Sequence, residues 1–410
     1  MARDGNAKGM KETKFKDTVL GKIPEEWSVA QVGDLFSMKR NNTLSRDNLN
    51  YSDLAGYKNI HYGDVLVKFG AFIDISTDTL PFVNHDIKFN PDLLENGDVI
   101  IADTAEDETV GKASEVIGIS AKDKVVSGLH TMILHPNEKF ASKYLGYFLN
   151  GEAYHNSLYN SMQGTKVISI SKKAINATSI AYPSLSEQQR VASALSDADA
   201  LVAELDALIE KKRAIMAGTM QELLTGKRRL QGFSEPWVER TIEDFAKITT
   251  GASNTQDQAP FGIFPFYIRS ASVMKSNRFL YDCEGVITIG DGQIGKVFHY
   301  INGKFDLHQR CYLIYDFYDV DAKFFYYIFS AFFYERAIAL SAKATVDSVR
   351  RDMIAKMKVD LPSLAEQRAI ASILSDMDAE IAELEAKRDK YKEVRQGMMQ
   401  QLLTGKIRLI

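Results

Sequence analysis

Gly290, Gly292 and Gly295 in the phrase GDGQIG come after an apolar run and match the G-x-G-x-x-G spacing that cradles a dinucleotide pyrophosphate. The next residues, KVFHYINGKFDLH, have strand texture and an Asn302-Gly303 turn. A helix whose N-terminus could hold phosphate is missing there, so the phrase reads as a glycine-rich hairpin. Asn90-Pro91-Asp92-Leu93 approaches the Asn-Pro-Pro-aromatic loop of amino-methyltransferases but lacks the second proline and the stacking ring. Pro91-Asp92 also fails as a nuclease motif, because no Asp/Glu-x-Lys comes after it in the next stretch of chain. Gly226-Lys227 is succeeded by Arg228, which breaks the phosphate-binding P-loop pattern. The seven histidines are scattered; His130 and His135, five apart, suit packing in a strand better than one helical face. Cys283 and Cys311 are too few for a disulfide framework or a four-thiolate zinc site. No nucleophile and base come together, and catalysis by this chain alone is not expected.

The residue types that read base edges and phosphates are better represented. Lys39, Arg40, Asn41 and Asn42 form one cluster; Gln163, Thr165 and Lys166, then Lys172 and Lys173, form others. Later come Tyr267 and Arg269, then Lys275, Asn277 and Arg278, and finally Arg350 and Arg351. Arg278, with Arg269 close behind, is the first candidate for a base contact. Bulk charge gives no such signal: Gly21 to Pro183 holds 15 basic and 20 acidic residues, and Gln231 to Leu361 holds 15 and 16. A lone binder of phosphate backbone would carry a basic excess, so any nucleic-acid role needs a partner supplying phosphate contacts.

These side chains must be positioned by more than one core. The chain has 410 residues with ordinary globular composition and a net charge of −4, which excludes a histone-like polyanion binder. The N-terminal stretch MARDGNAKGMKETKFK has no apolar segment of the signal-peptide kind. The greasiest stretch, Phe324 to Leu340, is broken by Glu335 and Arg336 and is too short to span a bilayer. A soluble, cytoplasmic protein without a membrane partner is expected.

The chain repeats itself. PSLSEQQRVASALSDADALVAELDALIEKKRAIMAGTMQELLTGKRRL, Pro183 to Leu230, recurs from Pro362 to Leu409 without a gap, with 27 of 48 positions identical. The two tryptophans, Trp27 and Trp237, open a weaker echo, in which Val32, Asp34 and Leu35 answer to Ile242, Asp244 and Phe245. Between these marks only fragments match: Val110-Gly111-Lys112 with Ile294-Gly295-Lys296, and Leu129-His130 with Leu307-His308.

Both copies read as long helices. Ser184-x-x-Glu187 and Ser363-x-x-Glu366 are capping boxes behind Pro183 and Pro362, while Gly226 and Gly405 provide the stops. Leu195, Ala198, Val202, Leu205, Ile209, Met216 and Leu223 form a heptad seam, answered by Leu374, Met377, Ile381, Leu384, Tyr391, Met398 and Leu402. Lys212, Arg388 and Arg395 interrupt it, which disfavours a free zipper and favours packing of each helix against its own copy. Elsewhere Val65-Leu66-Val67, Asp98 to Ile101, Val125-Val126, Val286 to Ile289 and Cys311 to Ile314 look like strands. Lys143 to Tyr159 and Lys323 to Leu340 look like helices, the aromatic run FFYYIFSAFF serving as core. The fold class is α+β: two mixed globular domains with two long coiled-coil-like helices in an internal pseudo-two-fold repeat.

Two diverged globular regions alternating with two near-identical helices that end LLTGK-x-RL resemble the specificity subunit of type I restriction–modification systems. PSL-x-EQ at Pro183 and Pro362, LLTGK at Leu223 and Leu402, and the openings IPEEW and GFSEPW carry the resemblance. It implies target recognition domains at 21–183 and 231–361, antiparallel helical spacers at 184–230 and 362–410, and a tail at 1–20. It further implies double-stranded DNA as ligand, two modification subunits holding S-adenosylmethionine, and two restriction subunits using ATP and Mg, with no cofactor bound by this chain. A coiled-coil adaptor with two protein-binding domains and no DNA is the alternative. A fused methyltransferase or nuclease is disfavoured by the missing motifs.

Overall fold

A proline-terminated strand hands the chain to a long helix twice. Ser179–Tyr182 and Lys358–Leu361 end at Pro183 and Pro362, and the helices Leu185–Leu223 and Leu364–Leu402 come next. Each helix has 39 residues, about 58 Å at ~1.5 Å per residue. Gly226 and Gly405 close them with φ of 67° and 70°. That is the left-handed stop that glycine adopts without penalty.

The computed structural model describes residues 13–52, 56–85, 87–341 and 348–410. Of the expected tail, residues 1–12 lie outside the described residues; Phe15–Thr18 pairs antiparallel with Gly21–Pro24. The chain forms two compact units. The first runs to Glu204 and takes in Arg388–Ile410; the second is Leu205–Lys387. Each unit therefore contains the start of one long helix and the end of the other.

In the first unit Asp199 meets Arg395 and Glu187 meets Arg408. In the second, Lys212 meets Glu380, Arg213 meets Glu385, and Arg229 meets Glu366. Within each unit the partner numbers fall from the earliest pair to the last, 408 to 395 and then 380 and 385 to 366, so the helices are antiparallel. Leu195, Leu205, Ile209, Leu374 and Ile381 are buried, and Val202, Met216, Leu384, Tyr391 and Met398 are half-buried. The seam cations Lys212 and Arg395 have carboxylate partners, and Arg388 lies 2.8 Å from Asp389.

The capping boxes form only in part. Ser184 Oγ accepts from the Glu187 amide at 3.4 Å, but the Glu187 carboxylate turns away to Arg408, and Glu366 turns to Arg229. An arginine fork offers two charge-assisted hydrogen bonds where the capping box offers one backbone N–H.

Each unit holds one principal sheet. The first orders its strands Phe36–Lys39, Thr131–Pro136, Val99–Ala102, Ala113–Ile117, Phe72–Asp74. The second orders them Lys247–Thr250, Cys311–Tyr315, Tyr281–Ile289, Phe298–Leu307, Phe264–Tyr267, Val273–Ser276. The first five positions correspond, including the single parallel pairing at the fourth. The short sequence echoes fall at equivalent turns. Gly111 and Gly295 both take positive φ just before the fourth strand, and His130 and His308 both lie just before the second.

Three sequence expectations are corrected. Val65-Leu66-Val67 belongs to a short helix, Tyr62–Val67, whose Gly63 amide is capped by His61 Nδ1 at 3.1 Å; Val67 is 88% exposed. Asn302-Gly303 makes no turn, because Phe298–Leu307 runs straight through it with Gly303 opposite Cys283. The turn is the glycine run itself, as GDGQIG joins two antiparallel strands. Lys143 to Tyr159 breaks into Tyr144–Leu149 and Glu152–Leu158 at Asn150. The Asn150 side chain donates to the Ala113 carbonyl at 2.6 Å and accepts from its amide at 3.1 Å, docking the helix end on the start of the fourth strand. The aromatic run is core: Phe324, Phe325, Phe329 and Phe333 are fully buried, with Phe329 and Phe333 stacked at 4.5 Å.

Candidate nucleic-acid interface

The loops at one end of each principal sheet gather the polar side chains. In the second unit four of them converge through backbone hydrogen bonds. Gln309 donates to Ser253 at 2.9 Å, Ser253 to Leu307 at 3.1 Å, His308 to Tyr267 at 2.9 Å, and Gly290 to Arg310 at 2.7 Å. Onto this frame are set Asp291, Arg269 and Arg310. Arg310 Nη1 donates to Asp291 Oδ2 at 2.6 Å, and Arg269 Nη1 lies 3.3 Å from both carboxylate oxygens. Burial pushes the Asp291 carboxyl up, but the two guanidinium groups more than offset this and hold it below its ordinary range. Beside them Gln309 Nε2 donates to Asn254 Oδ1 at 2.5 Å.

In the first unit the equivalent end is built from different side chains. His130 Nδ1 lies 3.3 Å from Asp103, and the Tyr62 ring meets the His130 ring edge-on at 5.3 Å. Arg46 Nη2 donates to Asp64 at 2.9 Å next to His61, whose pKa is lowered by burial and then by Arg46. Gln163 pairs through its backbone with Ser169, and Ser169 pairs with Thr104. This brings the exposed Gln163, Thr165 and Lys166 to the same edge. His130 lies in a turn with φ of 57°, not in a strand as its spacing suggested.

The remaining candidates divide by whether their polar groups are engaged. Lys39 is held inside, donating to Asp98 at 2.9 Å and Glu95 at 2.7 Å; Asn42 is buried against Asn59. Asn41 donates to the Gly128 carbonyl at 3.1 Å. Arg40 is exposed but clamps Asp92, whose carboxyl is held below its ordinary range by those hydrogen bonds. Tyr267 is core, packed on His299 and Phe305. Arg278 gives Nε to Asp306 and Nη2 to Ser253 and Asp257, tying down a buried carboxylate. Lys172, Lys173, Lys275, Asn277, Arg350 and Arg351 are exposed. Arg350 comes directly after Ser348 and Val349, which bridge to Asp291 and Gly290.

Sequence reasoning missed Arg310, Gln309, Asp291 and Asn254 in the second unit, and Arg46, His61 and Asp103 in the first. The Leu129-His130 and Leu307-His308 echo was the signal. It marks the equivalent turn in both regions, and Gln309 and Arg310 sit immediately beyond it.

Among the described residues no group of His, Cys, Asp and Glu could hold a metal ion, and no helix is long and apolar enough to cross a membrane. The two units share one strand order, carry unlike polar loop ends and each contain parts of two helices of related sequence, the features of a recognition protein. The type I restriction modification DNA specificity domain matches this chain twice, over residues 24–212 and 234–393, and the chain belongs to that family. Its members are the non-catalytic targeting subunits of type I restriction enzymes.

The putative type I restriction enzyme MjaX specificity subunit of Methanocaldococcus jannaschii is 25% identical, over 97% of this chain and 98% of its own. The EcoDI specificity subunit of Escherichia coli is 24% identical over 41% of this chain and 37% of its own. Among solved structures, the S subunit of a type I restriction–modification system from M. genitalium is similar with a TM-score of 0.61 and 15% identity. That likeness covers 92% of this chain and 96% of the other.

Proposed function

We propose that this chain reads a bipartite, asymmetric target in double-stranded DNA, one half-site per unit. In this reading residues 21–183 and 231–361 are the target recognition domains, and 184–230 and 362–410 are helical spacers. Two methyltransferase subunits dock through the helices and hold S-adenosylmethionine, and two restriction subunits use ATP and Mg. The observation that carries the reading is the contrast around a shared turn: beyond His308 the second unit places Gln309 and Arg310, where the first passes from His130 straight into its strand at Thr131 and presents Lys166 from another loop. A shared frame with unlike reading groups suits two unlike half-sites. Family membership weighs against the adaptor alternative.

The test is to co-produce the chain with its methyltransferase subunit and map modified adenines in plasmid DNA. A split target is expected, with Lys166→Ala and Arg310→Ala each altering a different half. A continuous target, or both substitutions acting on the same half, would overturn the reading.

A further inference from the structure

We propose that Arg310, buttressed by Asp291 and Arg269, reads a guanine and so fixes a G·C pair in the half-site taken by the second unit. The assignment rests on the half-site reading above and deepens it to one residue and one base.

A guanidinium has two usable forks, and the side-on fork of Nε and Nη2 distinguishes the arginines here. Arg229 and Arg408 give it to glutamates, Arg40 gives it to Asp92, and Arg278 gives it to Asp306 with Ser253 and Asp257. Arg269 and Arg310 both touch Asp291 through Nη1 alone, so Nε and Nη2 of each have no protein partner among the described residues, and Arg310 is the more exposed of the two. Its side chain is 61% exposed. Two parallel N–H donors on one planar edge match guanine O6 and N7 in the major groove.

The carboxylate favours a base over a phosphate. Asp291 beside the guanidinium disfavours a fully charged phosphate more than the partial negative charges of a base edge. Arg269 on the same carboxylate keeps the three-residue cluster at net +1, still attractive to DNA.

The backbone beneath is fixed. The Arg310 amide donates to His308 Nδ1 at 3.1 Å, and the Arg310 carbonyl accepts from Gly290 at 2.7 Å. A Cβ at Gly290 would stand 2.7 Å from that carbonyl, so only glycine permits this approach. An arginine pinned at its backbone and at Nη1 has less rotamer freedom to lose on binding.

The experiment uses the full chain co-produced with its methyltransferase subunit. The target is first defined by mapping modified adenines, and binding is then measured by competition with duplexes changed at each position. The wild type is expected to prefer guanine at one position of the second half-site by on the order of 10–100-fold. Replacing that guanine with 7-deazaguanine, which lacks the N7 acceptor, should cost a large part of the preference. Arg310→Ala should reduce it to about two-fold, with Arg310→Lys between the two and the other half-site unchanged. Uniform weakening for all sequences would make Arg310 a phosphate contact and overturn the assignment. Unchanged preference at every position in a complex that still binds would also overturn it while leaving the half-site reading intact. A wild-type complex with no sequence preference would sink both.

Discussion

Removing Arg408, in the second repeat, should destabilise the first unit and leave the second untouched. Arg408 donates Nε and Nη2 to the two oxygens of Glu187, the latter at 2.7 Å; their side chains are 8% and 2% exposed. Truncating one partner of such a pair leaves a buried carboxylate without its cation, which costs about 3–5 kcal/mol. The Arg408 contact with Glu26, which is exposed, shows that the site borders solvent, so about 3 kcal/mol is the better figure for Arg408→Ala. The chain has two tryptophans, Trp27 in the first unit and Trp237 in the second, each beside a helix-ending glycine. Single-tryptophan variants therefore report denaturant unfolding of each unit separately. Arg408→Ala should move the Trp27 transition alone, and Arg229→Ala, which releases Glu366, the Trp237 transition alone. Pairing Arg408→Met with Glu187→Gln should recover most of the loss, because no unpaired charge remains buried. A Trp27 midpoint unchanged in Arg408→Ala, or an equal shift at both tryptophans, would refute the crossed pairing.

Glu115 is buried and accepts from the amides of Lys143 at 2.6 Å and Gly146 at 2.8 Å, yet burial pushes its carboxyl up to about 7. With the folded value raised, its contribution is full below the unfolded value and lost as pH climbs from about 4.3 through 7, by about 4 kcal/mol at most. Glu115→Gln should flatten that slope at Trp27. Tyr147→Phe and Tyr327→Phe each remove a phenol bond to a carboxylate, Asp199 at 2.7 Å and Asp378 at 2.6 Å. Each should cost about 1.5–3 kcal/mol in its own unit by denaturant unfolding. Burial raises both phenols, so unfolding should become easier above about pH 10, and less so in the phenylalanine variants. Arg278→Ala should lower second-unit stability by about 1–2 kcal/mol through Asp306; a relaxed base preference at unchanged stability would show that Arg278 reads DNA directly.

The helices were legible because a long repeat with caps, stops and a heptad seam needs only spacing along the chain. The buried strands at Val99–Ala102, Val125–Ser127 and Cys311–Tyr315 were legible for the same reason. Spacing failed where a local contact outranks pattern. His61 caps a turn that makes Val65 helical, and two long paired strands carry Asn302-Gly303 through a position that usually bends. The loop ends were least legible. Arg278 and Arg310 look alike in sequence, and only the contacts separate a clamp on Asp306 from a fork left open.

The crossed contacts also explain why the two copies stayed alike in one place and parted in another. Gln188 donates to the Pro183 carbonyl and accepts from Ala141; Gln367 does the same with Pro362 and Asp321. Glu187 and Glu366 each grip the arginine that ends the other copy, while Trp27 lies against Gly405 and Trp237 against Gly226. The start of each helix thus serves one unit and its end the other, so a change in either copy must still fit a partner drawn from its counterpart. Among the described residues the hydrogen bonds and ion pairs of the turns at His130 and His308 stay within their own unit, which leaves the side chains around the shared histidine free to differ while the strands beneath keep one order.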